Sequence, residues 1–158
     1  MVQFWKSIWR KFGIVLFWLS WPVLLVYLRG SQRTRMMIVC ADEILVTKTW
    51  LGDGRWSLPG GGLHRGEGLV AGVIREVFEE TGVRLVASQV TYLDSKIYSN
   101  HGLKFQCHYY KTHVDEKPRI SLQKFEISDA EWVQFSQLRN AHFSPDIVHA
   151  VQFLTSSF

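Results

Sequence analysis

The chain has 158 residues, 47% of them hydrophobic and 20% charged, which is enough for one folded domain and too apolar for a disordered segment. Its net charge of +4 is unevenly placed: residues 1–35 hold six basic residues and no acid, whereas residues 36–158 hold 12 basic and 14 acidic residues, a net of −2. The overall basicity is therefore no sign of a nucleic-acid-binding surface, and two cysteines, Cys40 and Cys107, exclude a disulfide scaffold and a zinc cluster of cysteines.

The amino-terminal part is strongly apolar. Twenty of the first 28 residues are hydrophobic, and four of the seven tryptophans lie among them. Phe12 to Leu28 is a run of 17 uncharged residues, which as a helix would extend roughly 25 Å, close to the lower limit for crossing a bilayer core. Trp5, Trp9 and Tyr27 suit the interfacial belt, and Pro22 is tolerated in a membrane helix. The sequence after the run, VYLRGSQRTR, contains no small-residue cleavage site and so does not read as a signal peptide. Residues 1–35 are accordingly expected to be a single-pass membrane anchor with basic flanks, touching the lipid bilayer through residues 12–28. A helix lying in the membrane surface and a helix docked on the soluble domain are the alternatives. Three basic residues on each side leave the orientation undecided by charge.

Residues 36–158 carry a different pattern. MMIVCADEILVTKTW reads as two strands around Ala41-Asp42-Glu43, followed by a loop at Gly52, Asp53 and Gly54. The stretch from Gly68 to Thr81 has helical periodicity, and Val83–Val90 and Thr91–Tyr98 read as strands. Asn100-His101-Gly102 marks a turn that pairs Ser95–Ser99 with Leu103–Val114 as a hairpin. Trp132–Phe135 is a last short strand. Ser144 and Pro145 then have the character of an N-cap and first position of a terminal helix, with Ile147, Val148, Val151 and Leu154 as its apolar face. The order implies an α/β sandwich around a mixed sheet.

Within the first of these helices, Glu76, Glu79 and Glu80 fall inside one 100° arc at about 100° per residue, apart from the apolar arc of Val70, Val73, Ile74 and Val77. Like charges at this spacing repel, and Glu79 and Glu80 stand at the negative end of the helix dipole, just before Gly82. The cluster calls for cations. Arg75 supplies one, and oxygen-only ligands point to Mg²⁺ or Mn²⁺ for the rest.

The whole segment GGLHRGEGLVAGVIREVFEETGV resembles the signature of the Nudix hydrolases, with Gly61, Glu67, Arg75, Glu76, Val77, Glu79, Glu80, Gly82 and Val83 each at its place and WSLPGGG ahead of it. The resemblance covers about residues 36–155 and implies an α/β/α sandwich with a mixed β-sheet. It also implies metal-dependent hydrolysis of a nucleoside diphosphate linked to another group. By position, Glu76, Glu79 and Glu80 would be metal ligands, Glu76 also a candidate base, and the carbonyl of Gly60 a further ligand. Arg75 and Glu67 would pair and hold the loop against the helix. Glu126 is the choice for one more acid from a later loop, with Asp129 and Glu131 as rivals. Arg55, Trp56 and His64 are weaker substrate-binding candidates. A nucleotide substrate and two unpaired cysteines place the catalytic domain on the cytoplasmic side. A non-catalytic nucleotide-binding module, and another diphosphate reaction such as isoprenoid diphosphate isomerisation, are the competing readings.

Overall fold

The computed structural model describes residues 31–50, 53–100, 103–122, 126–138 and 142–154. The apolar run 12–28 and its flanks up to residue 30 lie outside the described residues, as does most of the turn at 100–102. Among the described residues, no helix is long and apolar enough to cross a membrane.

Five strands form one mixed sheet: β1 (Gln32–Cys40), β2 (Glu43–Thr49), β3 (Thr91–Asn100), β4 (Leu103–His113) and β5 (Ile127–Gln134), in the spatial order β3-β4-β1-β2-β5. β1 runs parallel to β4, and the other neighbours are antiparallel. Strict alternation along β1 sends Met36 and Ile38 to one face and Met37 and Val39 to the other. The first face packs with Leu45 and Tyr110 against Val73 and Val77 of helix α1 (Leu69–Thr81). The second packs with Val46, Tyr109 and Val133 against Ile147 and Ala150 of helix α2 (Pro145–Val151). Both faces are thus covered, giving the expected three-layer α/β/α sandwich, with a core buried on both sides of β1.

β1 and β2 pair at only two positions, Val39 with Ile44 and Cys40 with Glu43, where Ala41 takes a positive φ of 52° in the turn. Beyond them the strands part, and residues 57–63 fill the gap. Ser57 exchanges two backbone hydrogen bonds of 2.9 Å with Thr47 of β2, and Gly61 and Pro59 accept the amides of Thr34 and Met36 at 2.8 and 2.9 Å.

Several expectations need correction. β1 begins at Gln32, so Arg33 and Arg35, counted above with the flank of the leader, are sheet residues. Val83–Val90 is not a strand: it contains a short 3-10 turn at Ala87–Gln89. Its apolar residues Val83, Leu85 and Val90 are explained by packing beside α1, not by pairing in the sheet. The last strand is longer than Trp132–Phe135, starting at Ile127, which puts Asp129 and Glu131 on β5 opposite Lys48 and Val46 rather than in a loop. The terminal helix stops at Val151. Ser144 holds the N-cap position, but its hydroxyl is buried without a hydrogen-bond partner, and the Ile147 amide is taken by the Ser144 carbonyl at 3.1 Å and Asp146 Oδ1 at 2.9 Å. Val148 is 49% exposed and does not join the apolar face.

Asp146 ties α2 to the sheet. Its carboxylate meets Arg35 Nε at 3.1 Å and accepts the Leu58 amide at 3.4 Å, with the two side chains only 11% and 18% exposed. Removing one partner of a buried pair leaves the other charge uncompensated. Asp146→Ala should therefore destabilise the fold by about 3–5 kcal/mol in urea unfolding, and a loss below about 1 kcal/mol would show that Arg35 does not depend on it.

Candidate active site

The site forms where the segment 59–63 meets the last two turns of α1. Gly60 makes the crossing possible. Its φ of +134° is one that glycine adopts freely, and a Cβ there would lie 2.3 Å from the Thr34 carbonyl oxygen. Both ends of this residue are held: its amide donates to Glu80 Oε2 at 3.0 Å, and its carbonyl accepts Arg35 Nη1. The neighbouring Gly61 leaves room for Glu76, whose carboxylate oxygen would stand 2.5 Å from a Cβ at that position.

α1 supplies the carboxylates. It ends at Gly82 with φ 73°, whose amide returns to the Phe78 carbonyl at 2.8 Å, as the sequence pattern requires. Glu80 does not share a solvated face with Glu79: it is 4% exposed and turned inward toward Gly60. Burial, reinforced by the charges of Glu76 and Glu126, pushes its carboxyl up to about 8 against the attraction of Arg35. Glu76 is shifted upward as well, chiefly by burial, with Arg75 opposing and Glu79 and Glu126 adding repulsion.

Arg75 gathers the remaining groups. It binds Glu67 through Nε at 2.8 Å and Nη2 at 2.9 Å, Glu76 through Nη1 at 2.9 Å, Glu79 through Nη1 at 2.8 Å, and the Gly62 carbonyl at 3.0 Å. Glu67 in turn accepts the His64 amide at 2.9 Å. Loop and helix are thereby locked together by one guanidinium, with the two-pronged geometry that arginine offers to a carboxylate.

The sequence-derived residues are not all gathered. Among the described residues, no three acidic, histidine or cysteine side chains converge as they stand on one metal position. Arg75 draws Glu76 and Glu79 to itself, while Glu80 faces Gly60. The donor chemistry nonetheless fits a hard divalent cation: three carboxylates and the Gly60 carbonyl offer oxygen donors only, and burial disfavours the charged form of Glu76 and Glu80, which a bound cation would favour. Glu126 is exposed, at the residue before β5, and its charge reaches both Glu76 and Glu80. Arg55 pairs with Asp53 at 2.6 Å and borders a cleft of about 410 Å³ with Lys96, Phe143 and His149. Trp56 carries Lys48 Nζ at 4.6 Å from its ring centre and lines a second cleft, of about 340 Å³, with Trp132, His142 and Phe143. No hydrogen bond or ion pair among the described residues joins Arg55, Trp56 or the His64 side chain to the glutamates of α1. The residues that the sequence reading missed are Arg35 and Asp146, and Arg33 beside them. A usable signal was present: Gln32-Arg33-Thr34-Arg35 leads without a break into Met36-Met37, so an extended strand could have been read back to Gln32.

A family model described as the NUDIX domain matches residues 30–151. Nudix hydrolase 10 of Arabidopsis thaliana is 29% identical over 129 residues, covering 77% of this chain and 44% of that protein, so the chain spans less than half of the curated relative's length. Among solved structures, a MutT NUDIX hydrolase from Burkholderia pseudomallei superposes with a TM-score of 0.70 at 21% identity, covering 78% of this chain and 97% of the other. The NUDIX domain of Shewanella oneidensis NrtR, solved with ADP ribose, gives 0.70 at 15% identity, covering 80% and 87%. At these identities the two structures establish a shared fold.

The Arg75 clasp has a pH signature. Its hydrogen bonds to Glu67, with help from the His64 amide, hold the Glu67 carboxyl down from 4.5 to about 2. Because the folded value is depressed, the stabilisation is complete above about 4.5 and fades as pH falls toward 2. An NMR titration of the Glu67 side-chain carboxyl should give a midpoint near 2, and a midpoint at the ordinary glutamate value would mean that Arg75 does not hold it in solution.

Proposed function

The chain belongs to the Nudix family, and from that membership we propose that it is a metal-dependent pyrophosphohydrolase acting on a nucleoside diphosphate linked to another moiety. The observation that carries the reading is geometric: Glu76, Glu79 and Glu80 stand together at the end of one helix, with Glu80 turned against the Gly60 peptide and bonded to its amide. The cofactor proposed is Mg²⁺ or Mn²⁺, held by Glu76, Glu79 and Glu80 with the carbonyl of Gly60 and Glu126. A carbonyl oxygen has two lone pairs, so Gly60 can serve a cation while Arg35 keeps its hydrogen bond. When bound, such an ion neutralises the diphosphate and lowers the pKa of water.

The chain's own groups account for the rest. Glu76 is the proposed base: a carboxyl raised by burial takes a proton from water more readily than an ordinary glutamate. Arg75 fixes the rotamers of Glu76 and Glu79, and through Glu67 it holds the loop so that the 60–62 backbone keeps its distance from the helix. Arg55, Trp56 and His64 remain proposed contacts to the variable part of the substrate, supported by the position of the first two in the clefts beside α2 and β5.

A panel of nucleoside diphosphate derivatives, assayed with Mg²⁺ and with EDTA, tests this directly. Hydrolysis at phosphorus that EDTA abolishes is expected for at least one compound, and Glu76→Gln and Glu79→Gln should each lower the rate by about 10²-fold or more while the circular dichroism spectrum is kept. Rates within about threefold of the wild type would remove the assignment. Binding with no turnover would point to a nucleotide-binding module, and a rearranged product to an isomerase.

We also propose that the leader ahead of β1, residues 1–30, forms a membrane anchor preceding the hydrolase domain, single-pass through 12–28, with that domain on the cytoplasmic side. The support for the anchor is the uncharged run bounded by Lys6, Arg10, Lys11 and Arg29; the side rests on the nucleotide-type substrate and the two unpaired cysteines. After carbonate extraction the whole chain should stay with the membranes and a chain lacking residues 1–30 should be soluble. Release of the whole chain would overturn the anchor.

A further inference from the structure

Two arginines stand side by side on the α2 face of β1, and only one of them has an anionic partner. Alternation along the strand puts Arg33 and Arg35 on the same face as Met37 and Val39. Arg35 is committed to Asp146 and to the Gly60 carbonyl. Arg33 is different. Among the described residues no carboxylate pairs with it, its Nε is buried without a hydrogen-bond acceptor, and the Phe105 ring lies with its centre 5.7 Å from the guanidinium carbon. Nor is the position remote. Arg33 is the bridge partner of Gly62 in the catalytic loop, and the charges of Glu76 and Glu80 are felt at its guanidinium.

A desolvated guanidinium beside another arginine is held against both burial and like-charge repulsion, and burial does depress its basicity here. A phenylalanine ring gives partial relief, but it offers no oxygen to Nε. A group that satisfies Nε together with a neighbouring Nη is an anion with at least two oxygens, which the planar edge of an arginine binds through two parallel hydrogen bonds. Position narrows this anion further. It must sit on the α2 face of β1, at the edge where the strand pairs with the loop that carries Gly60 to Gly62.

Resting on the pyrophosphohydrolase reading, we propose that Arg33 is a phosphate-binding residue, its guanidinium edge taking non-bridging oxygens of the substrate's diphosphate beside the glutamate cluster. The Phe105 ring flanks the guanidinium, and the Arg35–Asp146 pair keeps Arg35 from competing for the same oxygens. The role is binding: the fixed positive charge acts on the phosphate in ground state and transition state alike.

The test uses the whole chain and three probes, ADP, inorganic pyrophosphate and adenosine, titrated calorimetrically in EDTA so that no metal bridges a probe to the glutamates. ADP and pyrophosphate should bind, Arg33→Met should weaken both at least tenfold, and adenosine binding should be unchanged. Arg33→Lys, which keeps the charge and the apolar stem but loses the fork, should lie between them, and it serves as the deciding variant if Arg33→Met does not fold. On any compound found to be hydrolysed, the lysine variant should raise KM with kcat within threefold. Wild-type affinity for pyrophosphate in the folded variants, or no binding of either phosphate probe to the wild type, would overturn the proposal. The panel of diphosphate compounds fails independently: a chain that hydrolyses nothing yet loses pyrophosphate binding with Arg33 would remove the hydrolase reading and leave this site in place.

Discussion

Carboxylates crowded at the end of one helix are the constraint around which this molecule is arranged. Glu76, Glu79 and Glu80 repel one another, and the helix terminus gives them no help. Two guanidiniums make the arrangement tolerable from opposite sides. Arg75, on the same helix, binds Glu76, Glu79 and the loop residue Glu67. Arg35, from the central strand, lends its charge to Glu80 and holds the Gly60 carbonyl. Neither outweighs burial, which still shifts the carboxyls of Glu76 and Glu80 upward. A divalent cation is the kind of group that would favour the charged carboxylates against that burial.

The two arginines also explain why loop, helix and sheet must be assembled together. Arg35 reaches the loop only because β1 extends back to Gln32, and it stays charged in a buried place because Asp146 of α2 stands against it. Arg75 reaches Gly62 and Glu67 only because the loop folds back over the first turns of α1. There Gly72 leaves space that the side chain of Leu63 fills, 2.2 Å from where a Cβ would be. A glycine inside a helix weakens it by roughly 1 kcal/mol relative to alanine, and the close approach of Leu63 is its evident use.

Much of this was legible in the sequence, and the parts that were not have physical reasons. The helix, its glycine terminator and the carboxylate spacing follow from local periodicity, which is why α1 lies where expected. The fate of Glu80 was not local. Spacing alone groups it with Glu79, whereas burial against Gly60 depends on a strand 45 residues earlier in the chain, a separation read from Arg35 to Glu80. Val83–Val90 misled because an apolar run packed beside a helix has the same composition as a paired strand. Arg33 and Arg35 misled in the other direction. Positive charges after an apolar leader look like a flank, and although the unbroken run into Met36 allowed an extended strand, it is the register with Gln106 to Tyr109 of β4 that identifies them as sheet residues. The net charge was therefore divided a few residues too late: with these two arginines moved across, residues 32–158 hold 14 basic and 14 acidic residues.

The narrow junction of β1 and β2 has a wider meaning. Only two residue pairs join the strands directly, and the gap beyond is spanned by Ser57, Pro59 and Gly61 bonded to one strand or the other. The segment that shapes the site is thus the seam between the halves β3-β4-β1 and β2-β5. A loop in that position cannot swing out as a lid, because its departure would unzip the middle of the sheet. Cooperativity of folding and readiness for chemistry are secured by the same few backbone hydrogen bonds, so adaptation to different substrates has to come from the rims of the clefts and not from this segment.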